Sequence, residues 1–270
     1  MNSKIIQSLV RLAMLATIVC VTGCVNGYSK FYHANFDPET MPQEAKKDIQ
    51  FLAPGEKPKV FSTNDMDRDV KIARSKGFIP IGWSSFNGPL TIHNDPIAQA
   101  TSLGAVMVLT KSSYTGTQTN TIPLFLPNNQ TTYTSGVVGG TNFYGSSTSY
   151  GTTVVPMTTQ TQRYEQGAVF FAKSLKKPRY GVSLVDLTPE IRSRLERNTG
   201  ALILVVSEDS PAFTANVLPD DILLEINGTP INNANHALKI MTTNKTDKAT
   251  FKIIRNDKEK LIDLVIVPIP

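Results

Sequence analysis

Histidine is scarce in this chain, and this limits the chemistry that the sequence can support. His33, His93 and His236 lie far apart in the sequence and in unrelated surroundings. A hydrolytic triad needs a histidine base beside a nucleophilic serine, and a glycine-rich loop whose backbone N–H groups stabilise the oxyanion. Neither a Gly-x-Ser-x-Gly nor a Gly-Asn-Ser-Gly-Gly pattern occurs. The sequence therefore predicts a protein that is not an enzyme, with no catalytic residues.

Two other patterns have the spacing of known chemistry but lack its partners. Ser174-Leu175-Lys176-Lys177 has the Ser-x-x-Lys spacing of penicillin-binding enzymes, without the accompanying Ser-Asp-Asn and Lys-Thr-Gly motifs. Asp65, Asp67 and Asp69 alternate as in a calcium loop, yet the sixth position is not glycine and the twelfth is not an acid. We therefore expect no metal and no cofactor, and interpret these acids as the start of a helix.

The first two dozen residues have the features of a signal peptide. Lys4 and Arg11 supply positive charge, and residues 12–21 form an apolar run of about 10 residues. A membrane-spanning helix needs about 20 residues, so this run is too short to be one. The run leads to Val21-Thr22-Gly23-Cys24, which resembles the bacterial lipobox. An ordinary signal peptide with an incidental cysteine is the alternative.

The lipobox resemblance implies that Cys24 is the lipidation site. Its sulfur would carry a diacylglycerol, and cleavage after Gly23 would expose an amine for a further acyl chain. Two or more chains anchor a protein stably, whereas one chain binds a membrane only marginally. Cys20 would leave with the signal peptide, so the mature protein would have no disulfide. By resemblance to sorting rules, Val25 favours the outer membrane facing the periplasm.

The middle of the chain predicts a tether and then a small α/β domain. Residues 24–60 are rich in proline and glycine, which oppose regular structure. Residues 61–175 predict the domain, which begins with a helix capped near Asp65 and stopped at Gly77. A strand over 78–86, a helix over 95–103 and a strand over 105–109 follow.

Residues 110–162 differ from the rest in composition, with much Thr, Ser, Gly and Tyr and almost no charge. A long, partly disordered loop is one interpretation. Threonine and tyrosine favour strands, so a projecting β-hairpin is the other. Its arms would include 122–125 and 152–157, with a flexible tip near 136–151.

The last 90 residues carry an ordered set of features. A short apolar strand follows the glycine of Tyr180-Gly181-Val182, and Ser210-Pro211-Ala212 marks a turn into a short helix. Asn227-Gly228 is a strong hairpin signal. This order resembles a bacterial PDZ domain of the high-temperature-requirement protease type, without the protease domain, over 178–268. The resemblance implies a partly open β-barrel with two helices, and hence an α+β chain.

The PDZ resemblance also implies a peptide-binding site. Backbone N–H groups of Tyr180, Gly181 and Val182 would hold a terminal carboxylate, and Ser183 and Leu184 would belong to the edge strand on which a peptide adds. A groove helix would supply apolar side chains. The candidates for the apolar pockets are Val182, Leu184, Leu238 and Met241.

Two residues depart from the PDZ pattern. Asn216 and Asp220 stand where glycine is usual, although Asn and Asp tolerate positive φ better than other side chains. The sequence thus leaves open whether the loop before Ile222 keeps its path. His236 lies near the start of the groove helix, where it could hydrogen-bond to a ligand hydroxyl or simply face solvent.

The overall charge of the chain does not indicate a particular class of binding partner. The net charge of +5 is small, and no dense basic stretch with interleaved aromatic residues points to nucleic acid. The sequence predicts a lipid-anchored periplasmic adaptor whose partners are protein or peptide C-termini in the cell envelope. A structural or surface-assembly lipoprotein, whose Thr/Gly-rich hairpin makes the main contact, is the alternative.

Overall fold

The computed structural model describes residues 26–36, 40–91 and 95–266. The predicted signal peptide, its lipidation site Cys24 and His93 lie outside the described residues. Within these ranges no helix has both the length and the apolar character needed to cross a membrane. The chain forms two compact units, of which the smaller comprises Asn87–Leu90 and Ser113–Glu165.

The larger unit contains two sheets. The first has the strand order β1-β4-β6-β5-β3, with β2 paired to β6 and β3 parallel to β5. Its helices and strands, in chain order, are α1 (Gly27–Lys30), β1 (Tyr32–Ala34), α2 (Gln43–Lys47), β2 (Ile49–Gln50), β3 (Lys59–Ser62), α3 (Met66–Ser75), β4 (Phe78–Gly88), α4 (Asp95–Ser102), β5 (Met107–Val138) and β6 (Thr141–Ser174).

Both faces of this sheet are covered. Phe170 and Phe171 are neighbours on β6 and therefore point to opposite faces, yet both are fully buried. Phe170 packs in a cluster with Ala100 of α4, and Phe171 in a separate cluster with Ala73 of α3. The helices predicted near Asp65 and over 95–103 are confirmed, and they form the two covering layers.

The segment predicted as a tether takes part in the fold. Tyr28 on α1 is buried, and β1 pairs with β4 in antiparallel register. The Ser84 hydroxyl donates a hydrogen bond to the Tyr28 carbonyl at 2.6 Å. The rings of Tyr28 and Phe86 meet edge to face, with 5.0 Å between their centroids. The apolar area of these aromatic rings outweighs the local preference of proline and glycine for irregular structure.

The smaller unit consists mainly of the part of the antiparallel hairpin β5–β6 that includes its turn. Thr121 faces Thr158 and Thr131 faces Thr148 across the two strands. The flexible tip predicted over 136–151 is instead continuous strand up to a two-residue turn, Gly139-Gly140. Both glycines have positive φ, 61° and 79°, as a tight hairpin turn requires.

The second sheet of the larger unit has the order β12-β11-β9-β8-β7, with β10 paired to β9. Its elements are β7 (Val182–Asp186), α5 (Pro189–Leu195), β8 (Ala201–Val206), α6 (Pro211–Thr214), β9 (Ile222–Ile226), β10 (Thr229–Pro230), α7 (Ala234–Thr243), β11 (Lys248–Arg255) and β12 (Lys258–Val265).

The main core of this second sheet lies between its strands and α7. Ile203, Ile226, Phe251 and Ile253 are fully buried there together with Ala237 of α7. A smaller cluster around Leu187 and Leu224 lies apart from it, with Ile191 of α5 packed against it. The two clusters bury the alternating apolar residues of the strands.

The loop before β9 keeps its path despite the two departures from glycine. Asn216 and Asp220 both adopt positive φ, 60° and 71°. The Asp220 N–H donates to the Ile203 carbonyl at 2.8 Å, and the Asn216 carbonyl accepts from Arg255 at 2.8 Å. Asn and Asp can occupy this region because their short polar side chains tolerate it. Asn216 and Asp220 therefore supply the positive φ that glycine would supply in this loop.

A buried ion pair fixes the same loop. Asp221 is 2% exposed, and both its carboxylate oxygens accept hydrogen bonds from Arg255 at 2.6 Å. One of these oxygens also accepts from the Leu218 N–H at 2.9 Å. The hydrogen bond with Asp221 raises the pKa of Arg255, so the guanidinium stays charged. This geometry ties β11 to the loop that leads into β9.

Replacing Asp221 with alanine is expected to destabilise the protein by about 3–5 kcal/mol, because Arg255 then loses its buried partner. Urea unfolding followed by circular dichroism measures the change. The matched control is Glu259→Ala, which removes one of the two carboxylate partners of Lys252 and should change the stability little, because this ion pair is exposed to water. Equal costs for the two variants would contradict the structural role of the buried pair.

Candidate functional site

The candidate site is the groove between β7 and α7. β7 is the last strand of its sheet and pairs on one side with β8. The backbone groups on its other side can therefore accept an additional strand. α7 lies beside this open edge and packs its buried residues, Ala237 and Met241, into the main core.

The loop that enters β7 depends on Gly181. Its φ is 85°, and a Cβ atom at this position would overlap the side chain of Ser210. The Gly181 carbonyl accepts from the Ser207 N–H at 2.8 Å, and the Tyr180 carbonyl accepts from the Ala212 N–H at 2.9 Å. These hydrogen bonds turn both carbonyls towards the segment that runs from Ser207 to Ala212.

The Tyr180 side chain serves the core and not the groove. It is 6% exposed, its ring stacks on Phe251 at 6.0 Å, and its hydroxyl accepts from Asn244 at 3.0 Å. Only the backbone of Tyr180 is thus placed to contact a ligand. Its side chain holds the loop against the core.

Two hydrogen-bonding side chains tie the walls of the groove together. At one end Arg179 donates to the carbonyls of Met241 and Thr246, each at 2.9 Å. At the other end the Asp186 carboxylate accepts from the Ala234 N–H at 2.9 Å. The hydrogen bond from Arg179 to Met241 lies at the C-terminal turn of α7, and the one to Asp186 lies at its N-terminus. The helix dipole favours the positive charge of Arg179 at the first end and the negative charge of Asp186 at the second. Sequence reasoning missed both residues, because their partners lie about 50 or more positions away.

The predicted pocket residues differ in exposure. Val182 and Leu184 are half-buried and pack against the main core, so they face the inner side of β7. Met241 is 5% exposed and belongs to that core, whereas Leu238 on the same helix is 57% exposed. Leu238 is therefore the apolar side chain of α7 with the most surface left for a ligand. Ser183, between Val182 and Leu184, lies on the opposite face of the strand.

His236 has a local structural contact. Its Nδ1 accepts from the Asn232 N–H at 3.2 Å, and its own backbone N–H donates to the Asn233 side chain at 2.8 Å. Both bonds belong to the start of α7, where Asn233 is the N-cap.

The other chemical candidates have structural contacts. Asp65 caps α3 by accepting from the Arg68 N–H, as the helix-start interpretation predicts. A short hydrogen bond from Thr63 lowers the pKa of Asp69 on the same helix. The Ser174 hydroxyl donates to the Lys176 carbonyl, and the Lys176 ammonium is 3.5 Å from Asp48. In the described part of the chain, no three His, Cys, Asp or Glu side chains cluster as metal ligands.

Comparison with known proteins agrees with this geometry. The profile of the PDZ domain family matches residues 178–266, about a third of the chain. Over 89 residues the chain is 36% identical to a DegP-like periplasmic serine endoprotease of Marinomonas sp., covering 32% of this chain and 19% of that protein. Over 76 residues it is 34% identical to the serine protease HhoB of Synechocystis sp., covering 24% of this chain and 18% of that protein. The chain thus spans about a fifth of the length of these relatives.

Solved structures of HtrA-type PDZ domains are also similar. The HtrA3 PDZ domain bound to a phage-derived ligand is 19% identical, with a TM-score of 0.29, over 32% of this chain and 81% of that chain. The HtrA-type protease AlgW with a decapeptide is 20% identical, with a TM-score of 0.30, over 38% and 37%.

The serine protease relatives align with this chain only over its PDZ region. The sheet β7–β12, the groove helix α7 and the family match agree with one another. The chain is a mixed α+β protein, and its residues 178–266 form a PDZ domain of the bacterial HtrA-like kind.

Proposed function

We propose that this protein is a non-catalytic adaptor whose PDZ domain binds C-termini or extended segments of cell-envelope proteins. The observation that carries the proposal is the open edge of β7 beside α7, a helix on which Leu238 is exposed. A groove with one hydrogen-bonding wall and one apolar wall suits an extended peptide. Hydrogen bonds from the backbone supply affinity, and side-chain pockets supply selectivity.

The ligand is an added strand that lies against β7. The Gly181 carbonyl faces β8, so the alternation of the strand turns the backbone of Val182 towards the open edge. The ligand's inward side chains would contact Val182, Leu184 and Leu238, and reach Met241 where the groove meets the core. The walls are already tied together by Arg179 and Asp186, so little further ordering is needed on binding.

The loop over Tyr180, Gly181 and Val182 is the proposed site for a terminal carboxylate. The positive φ of Gly181 lets successive N–H groups converge on one anion. A hydrogen bond to an ionised group is roughly twice as strong as one between neutral groups. A free C-terminus should therefore bind better than an amidated one.

The proposed setting is the periplasm. One relative is described as a periplasmic endoprotease, which supports a location in the cell envelope. The lipobox ending at Cys24 supports anchoring by lipid, with the outer membrane as the proposed destination. Mass spectrometry of the mature protein would show a lipidated N-terminal Cys24, and an unmodified chain would contradict the anchor.

Free-acid peptides are expected to bind about tenfold more tightly than the same peptides with an amidated end. The amidated end has no carboxylate, so it loses the hydrogen bonds between a charged acceptor and the backbone N–H groups of the loop. Fluorescence anisotropy with labelled peptides that end in an apolar residue measures this. Gly181→Ala should abolish binding of both forms, because the new Cβ overlaps Ser210.

The matched control for that variant is Gly228→Ala. Gly228 also has positive φ, 74°, but a Cβ there meets nothing within 4 Å. The Gly228→Ala variant has the same kind of backbone strain as Gly181→Ala but does not alter the groove. Its peptide affinity should therefore equal that of the wild-type protein. Equal binding of acid and amide by the wild-type protein would remove the carboxylate role.

Asp186→Ala is expected to weaken peptide binding by about fivefold, because the hydrogen bond between the end of β7 and the Ala234 N–H of α7 is then lost. The control is Asp263→Ala on β12, at the opposite edge of the sheet. Asp263 also accepts one hydrogen bond, from Thr250 at 2.7 Å. Anisotropy titrations of both variants should show weaker binding for Asp186→Ala alone, and a matching loss in Asp263→Ala would point to general destabilisation.

The hairpin supports a second candidate function, an assembly role. Residues 112–162 contain no charged side chain, and Phe125, Tyr133, Tyr144 and Tyr150 are exposed on the ribbon. Natural sheets usually protect exposed strand edges with charges, and this ribbon lacks them. In this alternative the hairpin makes the main protein contact.

Shortening the hairpin in register separates the two functions. Residues 131–148 are removed and Gln130 is joined to Ser149 through Asn-Gly, which preserves the pairing of the remaining strands. If the PDZ groove makes the main contact, peptide affinity and partner recovery in envelope pull-downs should be unchanged. Loss of partners with unchanged peptide affinity would favour the assembly role.

A further inference from the structure

Helix α3 of the first sheet's layer contacts the PDZ domain within the larger unit. The Glu208 N–H donates to the Ser75 carbonyl at the end of α3, at 2.8 Å. Val205 on β8 is 4% exposed although it lies outside the main PDZ core cluster. Helix α3 packs against β8, the strand that carries Val205. The outer face of the PDZ edge is therefore partly covered by another part of the chain.

Arg74 extends from α3 to the edge strand. Its guanidinium donates to the Ser183 hydroxyl at 2.5 Å. Ser183 points away from the main core, because its neighbours Val182 and Leu184 pack into that core. The cation thus lies on the outer face of β7, one residue from the loop proposed to hold a terminal carboxylate.

The surroundings of Arg74 are basic. A cleft of about 990 Å³ lies between α3, the segment after β6 and the start of β7. Among the residues that the structure describes, no carboxylate oxygen lies within 4.0 Å of the Arg74 guanidinium. The charged residues lining the cleft are Arg74, Lys76, Lys173, Lys176 and Lys177, against Glu208 and Asp209.

The geometry of strand addition places one ligand side chain next to Arg74. Side chains of an added strand alternate between its two faces. When the last side chain enters the groove between β7 and α7, the penultimate side chain points to the opposite face, across from Ser183. Directly opposed residues on paired strands have Cβ atoms about 5 Å apart, so this side chain is within reach of the guanidinium.

We propose that Arg74, Ser183 and the basic cleft form a subsite for an acidic side chain at the penultimate position of the peptide. This inference rests on the proposed peptide binding and adds a selectivity that the PDZ domain alone does not contain. The carboxylate takes the Arg74 donor group that now bonds to the Ser183 hydroxyl, and a hydrogen bond to a charged acceptor is the stronger one. Arg74 acts here as a specificity-determining residue supplied from outside the PDZ domain.

The test uses the mature full-length chain and three labelled free-acid peptides, identical except for Glu, Gln or Lys at the penultimate position. Fluorescence anisotropy should show the Glu peptide binding about fivefold more tightly than the Gln peptide, with the Lys peptide weakest. The preference should shrink at 1 M NaCl, where the screening length is about 3 Å.

Three variants assign the preference to Arg74. Arg74→Ala should bind the Glu and Gln peptides equally, whereas Arg74→Lys keeps the charge and should retain part of the preference. The matched control is Arg68→Ala on the same helix, where Arg68 is exposed and pairs with Asp69. Arg68→Ala should behave as the wild type does.

Each other outcome is decisive. If the Gln peptide binds the wild type but Glu gives no gain, the subsite is wrong while the peptide-binding function remains. A preference that survives in Arg74→Ala, or is lost in Arg68→Ala, also overturns it. Loss of Gln-peptide binding in Arg74→Ala would give Arg74 a purely structural role. If no peptide binds the wild type, the subsite falls together with the proposed function.

Discussion

The groove exists because one strand is held at the edge of its sheet and tied to a helix at both ends. β7 pairs with β8 on one side, while Arg179 and Asp186 join its two ends to α7. These bonds add directional restraints to the apolar packing of α7, which is not directional by itself. The bonds fix the spacing of a hydrogen-bonding wall and an apolar wall, and the proposed site needs that spacing.

Several contacts around the groove serve more than one purpose. Tyr180 holds the loop before β7 by stacking on Phe251, and Ser210 packs against Gly181 while its side chain caps α6. The Asp221–Arg255 pair holds the loop that leads into β9, the strand behind the groove. The loop proposed to hold a carboxylate is therefore set by the core, which lowers the conformational cost of binding.

The sequence predicted the local features well where short-range chemistry decides them. The cap at Asp65, the turn at Asn227-Gly228 and the tolerance of positive φ at Asn216 follow from side-chain properties alone. The sequence predicted the structure less well where packing against residues far along the chain decides the conformation. The segment around Tyr28 looked like a tether because proline and glycine are frequent there, yet Phe86, far along the chain, provides an aromatic surface for it. The Thr-rich hairpin similarly owes its regular pairing to cross-strand partners that local composition does not specify.

The order of motifs in the last 90 residues carries a resemblance to PDZ domains, and that resemblance implied the α+β class, the domain and its edge strand, which the structure and the family match confirm. The sequence by itself did not determine which of the residues expected at the groove face a ligand. Met241 lies in the core and Leu238 on the surface, although both are apolar residues of one helix face. Arg74 illustrates the limit most clearly, because it lies 109 positions from Ser183. Only packing between distant segments places its charge beside the groove, and no local pattern records such a contact.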